Sequence, residues 1–427
     1  MAGSRKPNNS ASKDVCRMPI SLPSVSGINT EARTLIFVGA IMNFGFAFYF
    51  VALPVYLSVA GFSPTVIGLL LAVEAVIGFS LAIPLAMLSD IRGRKGFFIL
   101  GILAASVAGA ILYFTLNLIL IVLAAAFSGL ANALMSAPAL ALLAEKATDD
   151  RSRNDIFTLS SAFGGVATAL GALISGILPA LFAARFGFGV VGSFRPLFAL
   201  SATLGIVGLV VVQLKIHEAR RSKTEGSNGG AATGGFMKIP RKSLPVVMRF
   251  SMLGLIGFGA GLIIPLFPLW FHLRFGLDIS VIGPLFSAML FVTALASLLT
   301  PYLARRRGSV LTIALTQICS IPFLILIPFS GNYVLAGVAM VARNMLMNVS
   351  GPIQHSYQMG VIHPDERATA SSIIQTFDAV PRAFAPAIGG YMFSLGLLDL
   401  PFFFTAALYT TSILLFYFIF RGVRPLD

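Results

Sequence analysis

The stretch from Gly96 to Ala144 reads GFFILGILAASVAGAILYFTLNLILIVLAAAFSGLANALMSAPALALLA and contains no Asp, Glu, Lys or Arg. A membrane-crossing helix needs about 20 apolar residues, so this run holds two of them, near 97–116 and 118–143. The segment from Thr34 to Val73 is equally free of charge and continues the pattern. Over the whole chain 57% of residues are hydrophobic and 11% charged, where a soluble protein carries about 25% charged residues. Reading outward in the same way gives twelve spans, the first near 34–57 and the last near 401–420. The sequence therefore describes an all-α integral membrane protein whose solvent is the lipid bilayer.

The net charge of +14 invites a nucleic-acid reading, which the positions of the charges exclude. If the N-terminus is inside, the loops and tails on that side carry 25 of the 30 Lys and Arg residues. Arg185, Arg195 and Arg274 fall on the other side, and Arg343 and Arg382 lie within spans. This asymmetry is the positive-inside pattern, and it places both termini in the cytoplasm of a cell bounded by this plasma membrane. One Trp against 37 Phe leaves interfacial anchoring to Tyr and Phe. Cys16 lies in a polar tail and Cys319 in an apolar run, an unsuitable pair for a disulfide, and no metal-ligand spacing occurs. The first 33 residues have no apolar core, which argues against a cleaved signal peptide.

The polar segment from His217 to Ser243, with SKTEGSNGGAATGG at its centre, reads as a flexible linker. It divides the chain into an N-terminal tail (1–33), a six-helix half (34–216), a linker (217–247), a second six-helix half (248–420) and a short tail (421–427). The halves match. Gly61-Phe-Ser-Pro-Thr-Val-Ile-Gly68 aligns with Gly276-Leu-Asp-Ile-Ser-Val-Ile-Gly283, and the same offset carries Leu88 onto Leu303 and Gly93 onto Gly308. One residue further in offset, Asn132, Asp150 and Arg151 fall on Asn348, Glu366 and Arg367. Parallel six-helix repeats place a small-molecule site between the halves, near the bilayer midplane.

Leu88-Ser-Asp90-Ile-Arg92-Gly93-Arg94-Lys95 resembles the loop motif between the second and third spans of the major facilitator superfamily. Ala86 stands at its first Gly and Ile91 at its first Arg; Asp90, Gly93 and the basic pair Arg94 and Lys95 are intact. The resemblance implies the major facilitator fold of two pseudo-symmetric six-helix halves, working by alternating access. It also implies that Asp90 latches the halves together on the cytoplasmic side when the cavity opens outward. The drug/proton antiporter subgroup is suggested, although Ala125 stands where its span-four Arg is expected before Gly129, and span five lacks its Gly-Pro pair. In the superfamily's arrangement helices two and eleven face each other, so Glu74 is able to exchange partners with Arg382 as the halves rock.

Charges inside the membrane are costly and mark function by default. Of the 16 acids only Glu74 and Asp378 lie well inside spans. A carboxyl that is neutral in one state and ionised in another couples protons to transport, and Glu74 is the candidate. Asp378 and Arg382 share a helix face at i, i+4, beside Pro381, Pro386, Gly389 and Gly390, which suit a bent or closely packed helix. Arg343 cannot shed its proton, so it requires an acid such as Asp378, backbone carbonyls or an anionic substrate. Asn43, Tyr49, Asn132, Arg343, Asn348 and Gln354 form the candidate substrate cavity, whose few polar groups among aromatics suit an amphipathic solute. Gly257, Gly259 and Gly261 point to close packing of the seventh helix.

No phosphate loop, zinc-protease pattern or clustered nucleophile set is present, so no cofactor, ATP-driven cycle or enzyme is indicated. The expectation is a monomeric secondary transporter exporting a small organic solute in exchange for protons. The alternatives are a uniporter or proton symporter for uptake and, more remotely, an integral membrane enzyme or a receptor.

Overall fold

The computed structural model describes residues 28–147, 149–217, 241–297 and 308–423. Twelve long helices follow one another. They are α1 (Thr30–Val59), α2 (Pro64–Arg92), α3 (Arg94–Phe114), α4 (Leu118–Glu145), α5 (Asp150–Phe186), α6 (Arg195–Lys215), α7 (Leu244–Phe275), α8 (Ile279–Ser297), α9 (Ser309–Phe329), α10 (Tyr333–Val361), α11 (Arg367–Ser394) and α12 (Leu400–Phe420). Eleven of them are long and apolar enough to cross a membrane. The exception is α11, where Gln375, Asp378 and Arg382 interrupt the apolar run, yet it packs along α2 and α7 as a full member of the bundle. Pro381 and Pro386 lie inside α11 without breaking it. Cys16, most of the linker and Arg305, Arg306 and Arg307 lie outside the described residues.

The packing follows the sequence repeat. In the first half α1 meets α5 and α6, α4 meets α2 and α3, and α3 meets α6. In the second, α7 meets α11 and α12, α10 meets α8 and α9, and α9 meets α12. Each pairing recurs six helices later.

Several helices depart from regular α geometry, and the sequence explains why. Residues Phe48–Ala52 of α1 form a π-helical turn just ahead of Pro54, which has no N–H to donate to the preceding turn. In α10 the helix is interrupted at Ser350, and a second segment starts at Gly351 with Pro352 in its first turn. Gln317 of α9 steadies that break, its Nε2 donating to Ser350 Oγ at 3.1 Å and to Gln354 Oε1 at 3.3 Å. The glycines of α7 act by being small. A Cβ on Gly257 would stand 2.1 Å from the carbonyl oxygen of Asp378, and one on Gly261 would stand 2.5 Å from that of Arg382.

The halves meet along α2–α11 and α5–α8, and they meet most closely on the side away from the termini. A Cβ on Gly68 would lie 2.3 Å from Pro386 O, and one on Gly390 would lie 2.3 Å from Pro64 O. Gly283 and Gly176 meet in the same manner, with a Cβ on Gly283 only 2.5 Å from Gly176 N. Thr65 Oγ1 donates to Ser394 Oγ across this boundary at 2.8 Å, and Phe50 stands edge-on to Phe286 at 6.1 Å. On the side of the termini α2 loses this cover, and Met87 is 55% exposed. The ion pairs there, Arg94–Asp90, Arg94–Glu145 and Lys146–Glu31, stay within the first half. The halves are thus held together at the far face, and the ion pairs near the termini do not join them.

Candidate functional site

The first half presents a cleft of about 350 Å³ lined by residues of α1, α3, α4 and α6. It brings together the predicted Asn43, Tyr49 and Asn132, with Phe46, Ser128 and Ser136 beside them. Asn43 and Asn132 are exposed to the cavity. Tyr49 is buried, its hydroxyl donating to Ala105 O at 3.4 Å, so it is wall rather than floor.

Glu74 sits behind that wall. Its Oε1 accepts a hydrogen bond from Ser128 Oγ at 2.7 Å, within an apolar chamber of about 10 Å³, little more than the room one water needs. The chamber is lined by first-half residues such as Leu70, Leu71, Ile121 and Ala125. No Lys, Arg or His lies within ion-pair distance of the carboxylate among the described residues. Tyr49 and Ser128 line both the chamber and the cleft. Ser128 was not among the residues expected from sequence, although it lies one helical turn before Asn132 on the same face.

The second half carries the larger cavity, about 410 Å³, between α7, α9, α10, α11 and α12. Of the residues expected in one substrate cavity, Arg343, Asn348 and Gln354 line this one and Asn43, Tyr49 and Asn132 line the first-half cleft; Asp378, Arg382, Gln317, His355, Gln358 and Tyr409 also line the second-half cavity. Asp378 gives both oxygens to Arg382, accepting from Nε at 2.9 Å and Nη2 at 2.8 Å. The expected i, i+4 pair is therefore formed, and Asp378 does not pair with Arg343. Arg343 is 1% exposed, and its Nη2 donates to Tyr409 Oη at 2.9 Å. Its guanidinium also lies 5.4 Å from the centre of the Tyr409 ring, a cation–π contact. Tyr409 had no signal in the sequence as a partner of Arg343, since the two are 66 positions apart. Glu74 and Arg382 do not meet in this state, each being held inside its own half.

At the loop motif, Gly93 adopts φ +109°, which ends α2 and starts α3 in a conformation that favours glycine. Its repeat partner Gly308 has φ +76°. Arg94 binds Asp90 through Nε at 2.8 Å and Nη2 at 2.6 Å, and binds Glu145 through Nη1. Lys95 Nζ donates to Gln213 O at 2.9 Å, and Leu88 is half-buried beside the turn. In this state Asp90 is engaged within its own half.

Twelve helices in two matched sets of six, sealed at one face around polar walls, define the solute-transporter class of membrane protein. The chain belongs to the major facilitator superfamily, whose family model matches residues 35–386. No curated protein sequence matches it significantly. Among solved structures, a bacterial homologue of the human lysosomal transporter Spinster, in an inward-facing and occupied conformation, is 16% identical with a TM-score of 0.71. That alignment covers 91% of this chain and 95% of that one. The nucleoside transporter NupG is 12% identical, with a TM-score of 0.73 over 92% of this chain and 100% of that one. A D-xylose–proton symporter is 12% identical, with a TM-score of 0.69 over 90% and 97% of the two chains. At such identities the likeness is one of fold. The chain is a multi-pass membrane transporter and not an enzyme.

Proposed function

We propose that the chain is a secondary active transporter that exports a small organic solute in exchange for protons, with Glu74 as the coupling acid. The observation that carries this reading is the carboxyl of Glu74, inside the membrane, with one hydroxyl partner and no cation beside it. An intramembrane acid without a cation partner is costly unless its proton or partner changes through a working cycle. Its chamber shares Tyr49 and Ser128 with the solute cleft, so a solute in the cleft and a proton on Glu74 act on the same wall. The positive-inside distribution supports a plasma-membrane protein with cytoplasmic termini, in which the present state faces inward. The working unit is a monomer in this reading, because one chain carries both halves and the cavity of each.

The test is flux driven by a pH gradient in proteoliposomes, across a panel of amphipathic organic solutes. A solute of the panel should dissipate the gradient with the parent chain, and Glu74→Gln should lower that proton flux at least tenfold while leaving solute exchange without a gradient. Solute leaving as protons enter identifies antiport, and both moving together identifies symport. Gradient-independent flux equal in the two chains would make the protein a facilitator and Glu74 a packing residue.

Asp90 serves in the opposite half of the cycle. When the cavity closes toward the termini, Asp90 latches the two halves, and the contact with Arg94 holds it ready meanwhile. Asp90→Asn should slow turnover several-fold at normal expression, read as initial flux per mole of protein. Unchanged flux would leave the loop a topogenic element only.

A further inference from the structure

The second-half cavity is positively charged, and its charge is unbalanced. Three ionic side chains line it: Arg343, Arg382 and Asp378. Both oxygens of Asp378 are engaged by Arg382, and Asp378 forms no ion pair with Arg343. A guanidinium has five N–H donors and stays protonated. Here Tyr409 Oη takes one of them, and the buried Nε has no hydrogen-bond partner among the described residues. Further along the same wall the buried Nε2 of Gln358 is also without a partner. Removing a guanidinium from water without a counter-charge is costly unless something supplies that charge. Tyr409 meets Arg343 through both ring and hydroxyl, and both line the same cavity as Arg382. The α7 part of the lining is apolar, with Leu253, Ile256, Ala260 and Ile264.

We propose that this cavity binds an organic anion, a carboxylate or phosphate carried on an apolar body, with the anionic group on Arg343 and the body against α7. Arg343 is suited to the task because its planar fork matches the two oxygens of either group. The arrangement also explains why the amides Gln317, Gln354 and Gln358 gather on this wall while the first-half cleft holds no cation. An anion entering from the open face passes Gln358 and Gln354 before it reaches Arg343, since these residues lie in order along α10. The inference rests on the transport reading above and narrows its substrate to anions. A soluble metabolite and a single-chain lipid with a charged head share this chemistry.

The test is binding to the full chain in neutral-lipid nanodiscs, measured as thermal stabilisation with two matched pairs of probes. Benzoate and benzamide represent soluble solutes; dodecyl phosphate and dodecanol represent lipid-like ones. In at least one pair the anion should bind the parent chain at least tenfold more tightly than its neutral partner, and the responding pair identifies the source. Arg343→Gln should abolish the preference. Arg343→Lys keeps the charge but loses the fork, so it should retain a weakened preference; if the Gln variant does not fold, the parent pairs and the Lys variant decide. No preference in either pair, or an equal preference in parent and variants, overturns the proposal. The readout needs no gradient and no flux. Anion binding in a chain that moves nothing would refute transport and keep the site, whereas flux without anion preference would do the reverse.

Discussion

Gly390→Val is expected to abolish transport and to trap the protein open toward the face away from its termini. The Cβ it introduces would stand 2.3 Å from Pro64 O, 2.9 Å from Gly68 Cα and 3.1 Å from Gly68 N. All three are backbone atoms, so no rotamer change relieves the contact. The helices must separate, and α2 and α11 belong to different halves, which the proposed transport cycle moves apart. Overpacking of this kind costs about 1–3 kcal/mol, and 1.4 kcal/mol is a factor of ten in a two-state ratio. By the same conversion, the state described here should fall about fivefold to more than a hundredfold relative to the state open to the far face. Hydrogen exchange checks it: peptides spanning the outer ends of α2 and α11 should exchange faster, and those at the termini side slower. Solute flux should drop in parallel while thermal stability changes little. Parent-like flux with unchanged exchange would mean that the contact is not a gate.

Gly129→Val should behave differently, although its clash is the same on paper. A Cβ there lies 2.3 Å from Glu74 O and 3.1 Å from Gly78 N. Both α2 and α4 belong to the first half, whose helices keep their neighbours as the halves rock. No other working state relieves the strain, so it must appear as lost stability of about 1–3 kcal/mol or more. The melting temperature in detergent should fall and the yield with it, and the Ser128–Glu74 hydrogen bond should be lost as the helices part. Gly39→Ala is the control, since nothing lies within 4 Å of its Cβ position. A Gly129→Val protein as stable as Gly39→Ala would show that α2 and α4 separate freely.

Much of this architecture was legible in the sequence, for physical reasons that differ by element. Lipid admits long apolar helices and little else, so the charge-free run from Gly96 to Ala144 gave α3 and α4 nearly residue for residue. Charged helix ends are equally clear, and Gly93 with its repeat partner Gly308 falls at turns whose positive φ favours glycine. The glycines of α7 point to close packing; Gly257 and Gly261 admit the backbone of α11, and Gly259 admits the side chains of Thr405 and Tyr409 on α12. The interruption of α10 at Ser350 was missed, because Pro352 was read within a continuous span although a proline suits the start of a helical segment. The π turn of α1 was missed too; Pro54 reveals a perturbed turn but not its form. In the candidate site, intramembrane charges identified Glu74, Arg343, Asp378 and Arg382 through their cost alone. Their partners were harder to find. The i, i+4 spacing gave Asp378–Arg382, whereas Ser128 and Tyr409 reach Glu74 and Arg343 only through the tertiary packing of separate helices.

The seal of the closed face has a consequence for leakage. Gly68, Gly176, Gly283 and Gly390 meet there largely as bare backbone. A barrier of long side chains must freeze rotamers each time it shuts, at up to about 1.5–2 kcal/mol for each flexible residue. Glycines have no rotamers to freeze, so closure here is entropically cheap and can be repeated at every turnover. The same bareness brings the main chains too near for a file of water molecules to pass, and protons move readily along such files. A cavity that stands open on one side depends on dryness at the other, and these four residues without side chains contribute to it beside the Thr65–Ser394 and Phe50–Phe286 contacts.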